Sequence, residues 1–329
     1  MKLSCCLLSC LLLLPLPAAA RCKGSDLIDA LSDGQRAALE QAAEATPYAE
    51  GLLWRATRGD TRITLFGTYH FEHAQTQTHL AALEPMIKAA DLVYLEMSKA
   101  DEKRLGRQMA SDPSLMFITE GPTLPDLLGD EDWQTLSDEL SRRGFPSFLA
   151  AKFKPIWASM MLGIGPCEAR SGALEAAGID SLIGEHAMQL GHETRSLEDA
   201  ATVLTLLDGF PLEDQLDAIR LFLHWNVDPD DVAYTLRERY LAQQIALIWE
   251  YSRLVSLEGG GPEAEASFAL SEQVLLTDRN LAWADLLASN AVQGDVLVAA
   301  GAAHLPGDFG VLNLLAQRGF VISRLPFQQ

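Results

Sequence analysis

Val296-Leu297-Val298-Ala299-Ala300 runs directly into Gly301-Ala302-Ala303-His304. Five apolar residues without a polar break read as a strand buried on both faces, the kind found in parallel sheets covered by helices. The glycine lets the chain turn sharply, and the histidine follows at the carboxyl end of the strand. A second stretch has the same form, with Ile63-Thr64-Leu65-Phe66 passing into Gly67-Thr68-Tyr69-His70. In open α/β sheets ligands bind beyond the carboxyl ends of the strands, so both histidines are expected at one edge.

Working outward, Leu92-Val93-Tyr94-Leu95 is a buried strand ending in Glu96, and residues 194–197 form a strand ending in Glu198. Residues 52–56 pair with 63–66 across the turn Arg58-Gly59-Asp60, and residues 320–323 make a last strand. Helical periodicity marks 27–45, 80–90 and 308–318, and it dominates 101–190 and 211–290. Gly121-Pro122, Gly144 and Gly165-Pro166 punctuate the first long run, and Glu258-Gly259-Gly260-Gly261-Pro262 is a loop in the second. Strands separated by helices predict an α/β fold with a mainly parallel central sheet flanked by helices. The expected organisation is one domain over 21–329 with helical insertions at about 101–190 and 211–290.

Two imidazoles and one or two carboxylates at one sheet edge are metal-ligand or acid/base chemistry. Glu96 is hard to place in a plain core, because an unpaired buried carboxylate is costly. Glu198 has a second reading: Ser196-Leu197-Glu198-Asp199 also suits the start of a helix, where the dipole favours carboxylates. His73 follows His70 closely and either assists it or sits in a surface loop. Trp225, Tyr240, Trp249 and Tyr251 recur at core-like helical spacing and read as packing residues, while His186, His192 and His224 lie outside any motif. Gly-x-Ser-x-Gly, HExxH and the Walker A pattern are absent.

The chain has 329 residues, 48% of them hydrophobic, with 25 Lys and Arg against 45 Asp and Glu, a net charge of -20. The apolar fraction excludes a disordered chain. The acidity argues against nucleic acid and against an anionic membrane surface. Lys2, an apolar run over 3–14, Pro15, Pro17 and Ala18-Ala19-Ala20 have the form of a secretory signal peptide cleaved after Ala20, and the run is too short to span a bilayer. A periplasmic or secreted protein is expected. Cys5, Cys6 and Cys10 leave with the signal, so Cys22 and Cys167 are expected to pair in an oxidising compartment. No CxxC exists to support a structural zinc site.

These segments together resemble the TraB/GumN family of bacterial proteins, related to the animal Tiki proteases. The matching stretches are residues 65–70, Ala90-Asp91-Leu92-Val93-Tyr94-Leu95-Glu96, Lys154-Pro155 before Trp157, Gly178-Ile179-Asp180 and Ser196-Leu197-Glu198. They continue with Asp278-Arg279-Asn280-Leu281-Ala282-Trp283 and Gly301-Ala302-Ala303-His304-Leu305-Pro306-Gly307. Gly310-Val311-Leu312 and Arg318-Gly319-Phe320 complete the set. One departure is Ala303, where the family usually has glycine before the histidine. The resemblance implies a fold shared with erythromycin esterases and haem-associated ChaN proteins. It also implies that His70, Glu96 and His304 line the site and that Arg279 joins it.

In the Tiki-like reading His70, His304 and Glu96 or Glu198 hold a divalent metal, Mn²⁺, Co²⁺ or Zn²⁺, and a second carboxylate takes a proton from water. Arg279 stabilises the oxyanion, and the substrate is a peptide or a small molecule. A metal-free His/Glu esterase and a haem- or metal-binding protein without turnover are the alternatives.

Overall fold

The computed structural model describes residues 22–174, 176–289 and 292–327. The expected signal peptide lies outside these residues, as does Asn290, on which the expected helical stretch ended. The strands are β1 (Leu53–Arg58), β2 (Thr61–Thr68), β3 (Leu92–Leu95), β4 (Glu193–Ser196), β5 (Asp295–Gly301) and β6 (Val321–Arg324). They form one sheet in the order β4-β3-β5-β2-β1-β6. β2, β5, β3 and β4 pair in parallel, and β1 pairs antiparallel with both β2 and β6. The fold is therefore the expected mixed α/β class, with β1 alone running against the other strands.

The reason lies in the side-chain period of two along each strand. In central β5, Leu297 and Ala299 enter one core with Leu83, Ile87, Ile179 and Ile183. Val296, Val298 and Ala300 enter the opposite core with Trp283, Leu287, Leu312 and Leu315. Helices Thr76–Ala89 and Ile179–Gln189 cover the first face, and Asp278–Ala288 and Val311–Gln317 cover the second. Burying each of these larger aliphatic side chains stabilises the fold by about 1.5–3 kcal/mol. A charged residue at Val298 would break both the strand and the second core.

Two helices are shorter than the periodicity suggests. The expected helix 27–45 is Asp33–Ala45, because Ser32 caps it by accepting from the Gln35 N–H, while Asp26 Oδ1 accepts from Ile28 N in a preceding turn. The expected helix 308–318 is Val311–Gln317, because Gly307 adopts φ +102 and the chain turns there.

Between β3 and β4 the chain breaks into short helices. Pro113, Pro125, Pro155 and Pro166 each open one, as the missing N–H of proline allows only in a first turn. Leu124, Leu136, Leu140, Phe153 and Leu162 form a separate core with Leu216 and Ile219 of helix Leu212–His224. The two helical regions thus share packing away from the sheet. Cys22 and Cys167 are joined by a disulfide with Cα atoms 5.7 Å apart, beside the buried pair Arg237–Glu168. No helix among the described residues is long and apolar enough to cross a membrane.

Candidate active site

Four neighbouring parallel strands end in the expected residues. β4 leads to Glu198, β3 to Glu96, β5 to His304 through a 3-10 turn at Ala302–His304, and β2 to His70. The register places Leu95 opposite both Ser196 and Ala299, and Thr68 opposite Gly301, so the four ends stand level. His70, Glu96, Glu198 and Arg279 line one cleft of about 430 Å³.

Arg279 ties the two carboxylates together. Its Nη2 donates to Glu96 Oε2 at 2.7 Å, and its Nε lies 2.9 and 3.1 Å from the two oxygens of Glu198. Its Nη1 donates to Leu275 O at 2.9 Å. Arg279 follows a five-residue π-helical segment, Gln273–Thr277, and its guanidinium lies 4.9 Å from the Trp283 ring centroid. Burial works against its charge, yet both carboxylates hold its pKa above the ordinary value. Glu198 is thus ion-paired to Arg279, and it also stands just before Asp199, which caps helix Ala200–Asp208, so both readings of this acid hold.

Glu96 keeps its other oxygen for the cleft, where Oε1 accepts from Gly301 N at 2.6 Å. Burial opposes its charge, but His304, His70, Arg279 and this N–H outweigh it and hold the carboxyl down at about 2. A Cβ on residue 301 would stand 3.1 Å from Glu96 Oε1, 3.2 Å from His70 Nε2 and 3.6 Å from His304 Cδ2. Glycine at 301 thus leaves open the space that all three side chains face.

The two histidines have different partners. His304 is 4% exposed, its ring centroid 4.3 Å from that of Trp283, with Nδ1 2.6 Å from Asn280 Oδ1. Asn280 Nδ2 donates to Phe309 O at 2.9 Å, which turns the amide oxygen toward the imidazole. This network assigns the proton of the neutral ring to Nδ1 and leaves the lone pair on Nε2. Burial, with the positive charges of Arg279 and His70, outweighs Glu96 and pushes the ring down to about 3. His304 Nε2 and Glu96 Oε1 are then two acceptors 3.9 Å apart, and their gap calls for a donor or a cation.

His70 Nδ1 lies 3.3 Å from Asp180 Oδ2, and Asp180 Oδ1 accepts from Thr68 Oγ1. Burial opposes a charge on His70, while Asp180, by charge and hydrogen bond, and then Glu96 reverse this and raise its pKa. The His70 side chain is 58% exposed, so water screens both effects and the upward direction is what the contacts carry. Gly178 permits this approach, since a Cβ there would sit 2.0 Å from His70 O.

Asp180 and Asn280 are site residues that spacing alone does not reveal. Each lies inside a matching segment of the sequence, and that is the signal that could have found them. His73 corrects an expectation: it is 3% exposed and packs against Tyr69, His79 and Tyr240, so it is neither a surface-loop residue nor a partner of His70. Tyr240 and Tyr251 are buried as expected, and Tyr240 Oη donates to Gly67 O at 3.0 Å beneath the site. Among the described residues no group of three His, Cys, Asp or Glu side chains is drawn together to hold a metal ion.

A sheet with both faces covered, and a strand-end cleft lined by His70, Glu96, Glu198 and Arg279 with buried His304 beside Glu96, defines an α/β protein with a polar cluster at its strand ends. The family model described as the TraB/PrgY/gumN family matches residues 52–324, and the chain belongs to that family. A comparison with curated proteins gives no match.

Proposed function

We propose that the protein is an exported hydrolase, periplasmic or secreted, acting on a peptide or small-molecule carbonyl compound at His70, Glu96 and His304. The observation that carries this reading is the space over Gly301. Three acceptor-bearing side chains face it, while Arg279 holds the far oxygen of Glu96.

The donor types, two imidazole nitrogens and one carboxylate oxygen, are those that Mn²⁺, Co²⁺ or Zn²⁺ takes, and His70, Glu96 and His304 would hold such an ion by closing on the space over Gly301, since they are not drawn together as they stand. Bound there, such an ion would lower the pKa of water and polarise a carbonyl. The side chains alone supply little basicity, since Glu96 and His304 are held far below the neutral range where a general base is most effective. What they do supply is position. Asn280 fixes the His304 ring, the Gly301 N–H fixes one Glu96 oxygen, and Arg279 offers a fixed positive charge to a developing oxyanion. Glu198 keeps Arg279 in place through two contacts.

Metal content after chelator-free purification tests the reading. The wild type is expected to carry metal, and His70→Ala and His304→Ala to lose it. Equal content in all three defeats the metal-dependent form. A metal-free His/Glu esterase is the second reading, favoured by Arg279 already supplying a cation between Glu96 and Glu198. Hydrolysis that survives chelation would select it.

A further inference from the structure

The catalytic cleft continues past its charged residues. Leu105, Met160, Val203, Leu204 and Leu207 also line it. A second cavity of about 450 Å³ shares Leu207 and is closed by Phe210, Leu221 and Phe268 among others. Three elements line both spaces in succession. Helix Pro155–Leu162 gives Met160 to the cleft and Ile156 to the second cavity. Helix Ala200–Asp208 gives Leu204 to the cleft and Leu207 to both. Leu275 lines the second cavity and Arg279 the first, and the Leu275 carbonyl accepts from Arg279.

This apolar surface is left uncovered. Met97 and Met160 are 37% and 43% exposed, and none of residues 201–208 is buried. Water-exposed aliphatic surface beside a polar centre marks a binding site. The occupant can be chosen on polarity. A peptide carries a donor and an acceptor at nearly every residue, and each needs a partner once buried. Of the polar side chains that line the second cavity, Asp217, His224 and Glu263 are exposed, Arg220 donates to Asp217, Gln215 accepts from Ile156 N and donates to Phe210 O, and Ser256 and Ser271 donate to carbonyls of their own helices, while Ser159 Oγ is a buried lining atom without a partner. An aliphatic chain makes no such demand. An anionic chain end is disfavoured in the cleft, where Glu96, Glu102, Asp180 and Glu198 outnumber Lys99 and Arg279.

We infer that the two cavities form one subsite for an uncharged aliphatic chain, so that the substrate class is an acyl ester whose chain lies along Leu204 and Leu207. This rests on the hydrolase reading and adds the substrate class to it. In the reaction, water adds to the acyl carbon and the bond to the alcohol oxygen breaks. The water's oxygen stays in the carboxylic acid, and one of its protons ends on the alcohol.

The test is a series of p-nitrophenyl esters from acetate to dodecanoate, with binding of the fluorescent, uncharged methyl ester of parinaric acid (hereafter parinarate) measured separately. Wild-type kcat/KM is expected to rise roughly fourfold per methylene until the chain fills the subsite, the factor expected for burying each CH₂. In Leu207→Asp, and independently in Met160→Asp, the octanoate-to-acetate ratio is expected to fall at least tenfold, and parinarate to bind at least tenfold more weakly. A flat chain-length profile together with no parinarate binding overturns the subsite and leaves the hydrolase reading intact. Parinarate binding that weakens in Leu207→Asp, with no ester hydrolysed at any length, supports the subsite and overturns the hydrolase reading.

Discussion

His70 and His304 start from the same local arrangement, a glycine, two residues and a histidine after a parallel strand, and end in opposite surroundings. His304 is buried, packed against Trp283 and held by an amide, while His70 is open to solvent and held by a carboxylate. The glycines differ as well. A Cβ on Gly67 would lie 3.0 Å from Ala302 Cα, Ala302 Cβ and Leu305 Cδ1, all packing atoms. A Cβ on Gly301 would meet Glu96 and the two imidazoles instead. Strand and turn deliver a histidine to the sheet edge, and the helix that reaches it then decides its exposure and its charge. Helix Asp278–Ala288 reaches His304 with Asn280, and helix Ile179–Gln189 reaches His70 with Asp180.

The sharpest way to break this contrast is to remove the cation common to both arms. Arg279→Met leaves Glu96 and Glu198 without their partner in a crowded site, and denaturant unfolding is expected to show a loss of about 3–5 kcal/mol. An unchanged midpoint would mean that the carboxylates do not depend on the guanidinium. Next, truncating the two rings should expose their unequal packing. His304→Ala is expected to cost about 2–4 kcal/mol through the cavity beside Trp283, and His70→Ala about 0.5 kcal/mol or less. Equal costs would contradict the difference in burial.

The glycines separate stability from chemistry. Gly67→Ala is expected to lower stability by about 1–3 kcal/mol through overpacking against Ala302 and Leu305. Gly301→Ala is expected to reduce turnover by about 100-fold or more, equivalent to about 2.7 kcal/mol, by filling the space the three side chains face. Turnover unaffected by Gly301→Ala would move the reaction centre elsewhere.

The remaining effect concerns pH and the His70 arm alone. His73 and His79 are buried behind the loop that carries His70, and His73 Nε2 and both nitrogens of His79 have no partner among the described residues. Burial, helped at His73 by His79 and Arg237, pushes both rings down to about 4. The unfolded chain takes up these protons near pH 6.5, where the folded chain does not. Stability is therefore full above about 6.5 and falls as pH drops toward 4, by at most about 1.4 kcal/mol per pH unit for each ring. Amide exchange should rise first over residues 69–79, ahead of residues 301–305. Simultaneous loss in both segments would tell against this.

Much of this was legible in the chain itself. β2, β3 and β5 stand out because their apolar runs are stable only when buried, and they carry His70, Glu96 and His304 to one edge, whereas β4, Glu193-Thr194-Arg195-Ser196, is polar and shows no such run. Glu96 was visible for the same reason, as a carboxylate in a place that tolerates none unpaired. The ring partners were not legible in this way. Asp180 and Asn280 are ordinary polar residues on helices, and their contacts with His70 and His304 depend on how those helices dock. His73 and His79 show no periodicity that separates a buried imidazole from an exposed one. The core shared by residues 124–162 with Leu216 and Ile219 was hidden because it joins segments far apart in the chain, and the helices opened by Pro125 and Pro155 are too short to display a clear apolar stripe.

The π segment at Gln273–Thr277 has a consequence for how this site can vary. One additional residue is wound into an otherwise continuous helical run, so the halves on either side are out of phase with a plain α-helix. The upstream half can lay Phe268 against Trp249 while the downstream half still aims Arg279 and Asn280 at the sheet edge. Shortening the run by one residue would rotate one half by about 100° relative to the other, so this stretch should accept changes of side chain far more readily than changes of length.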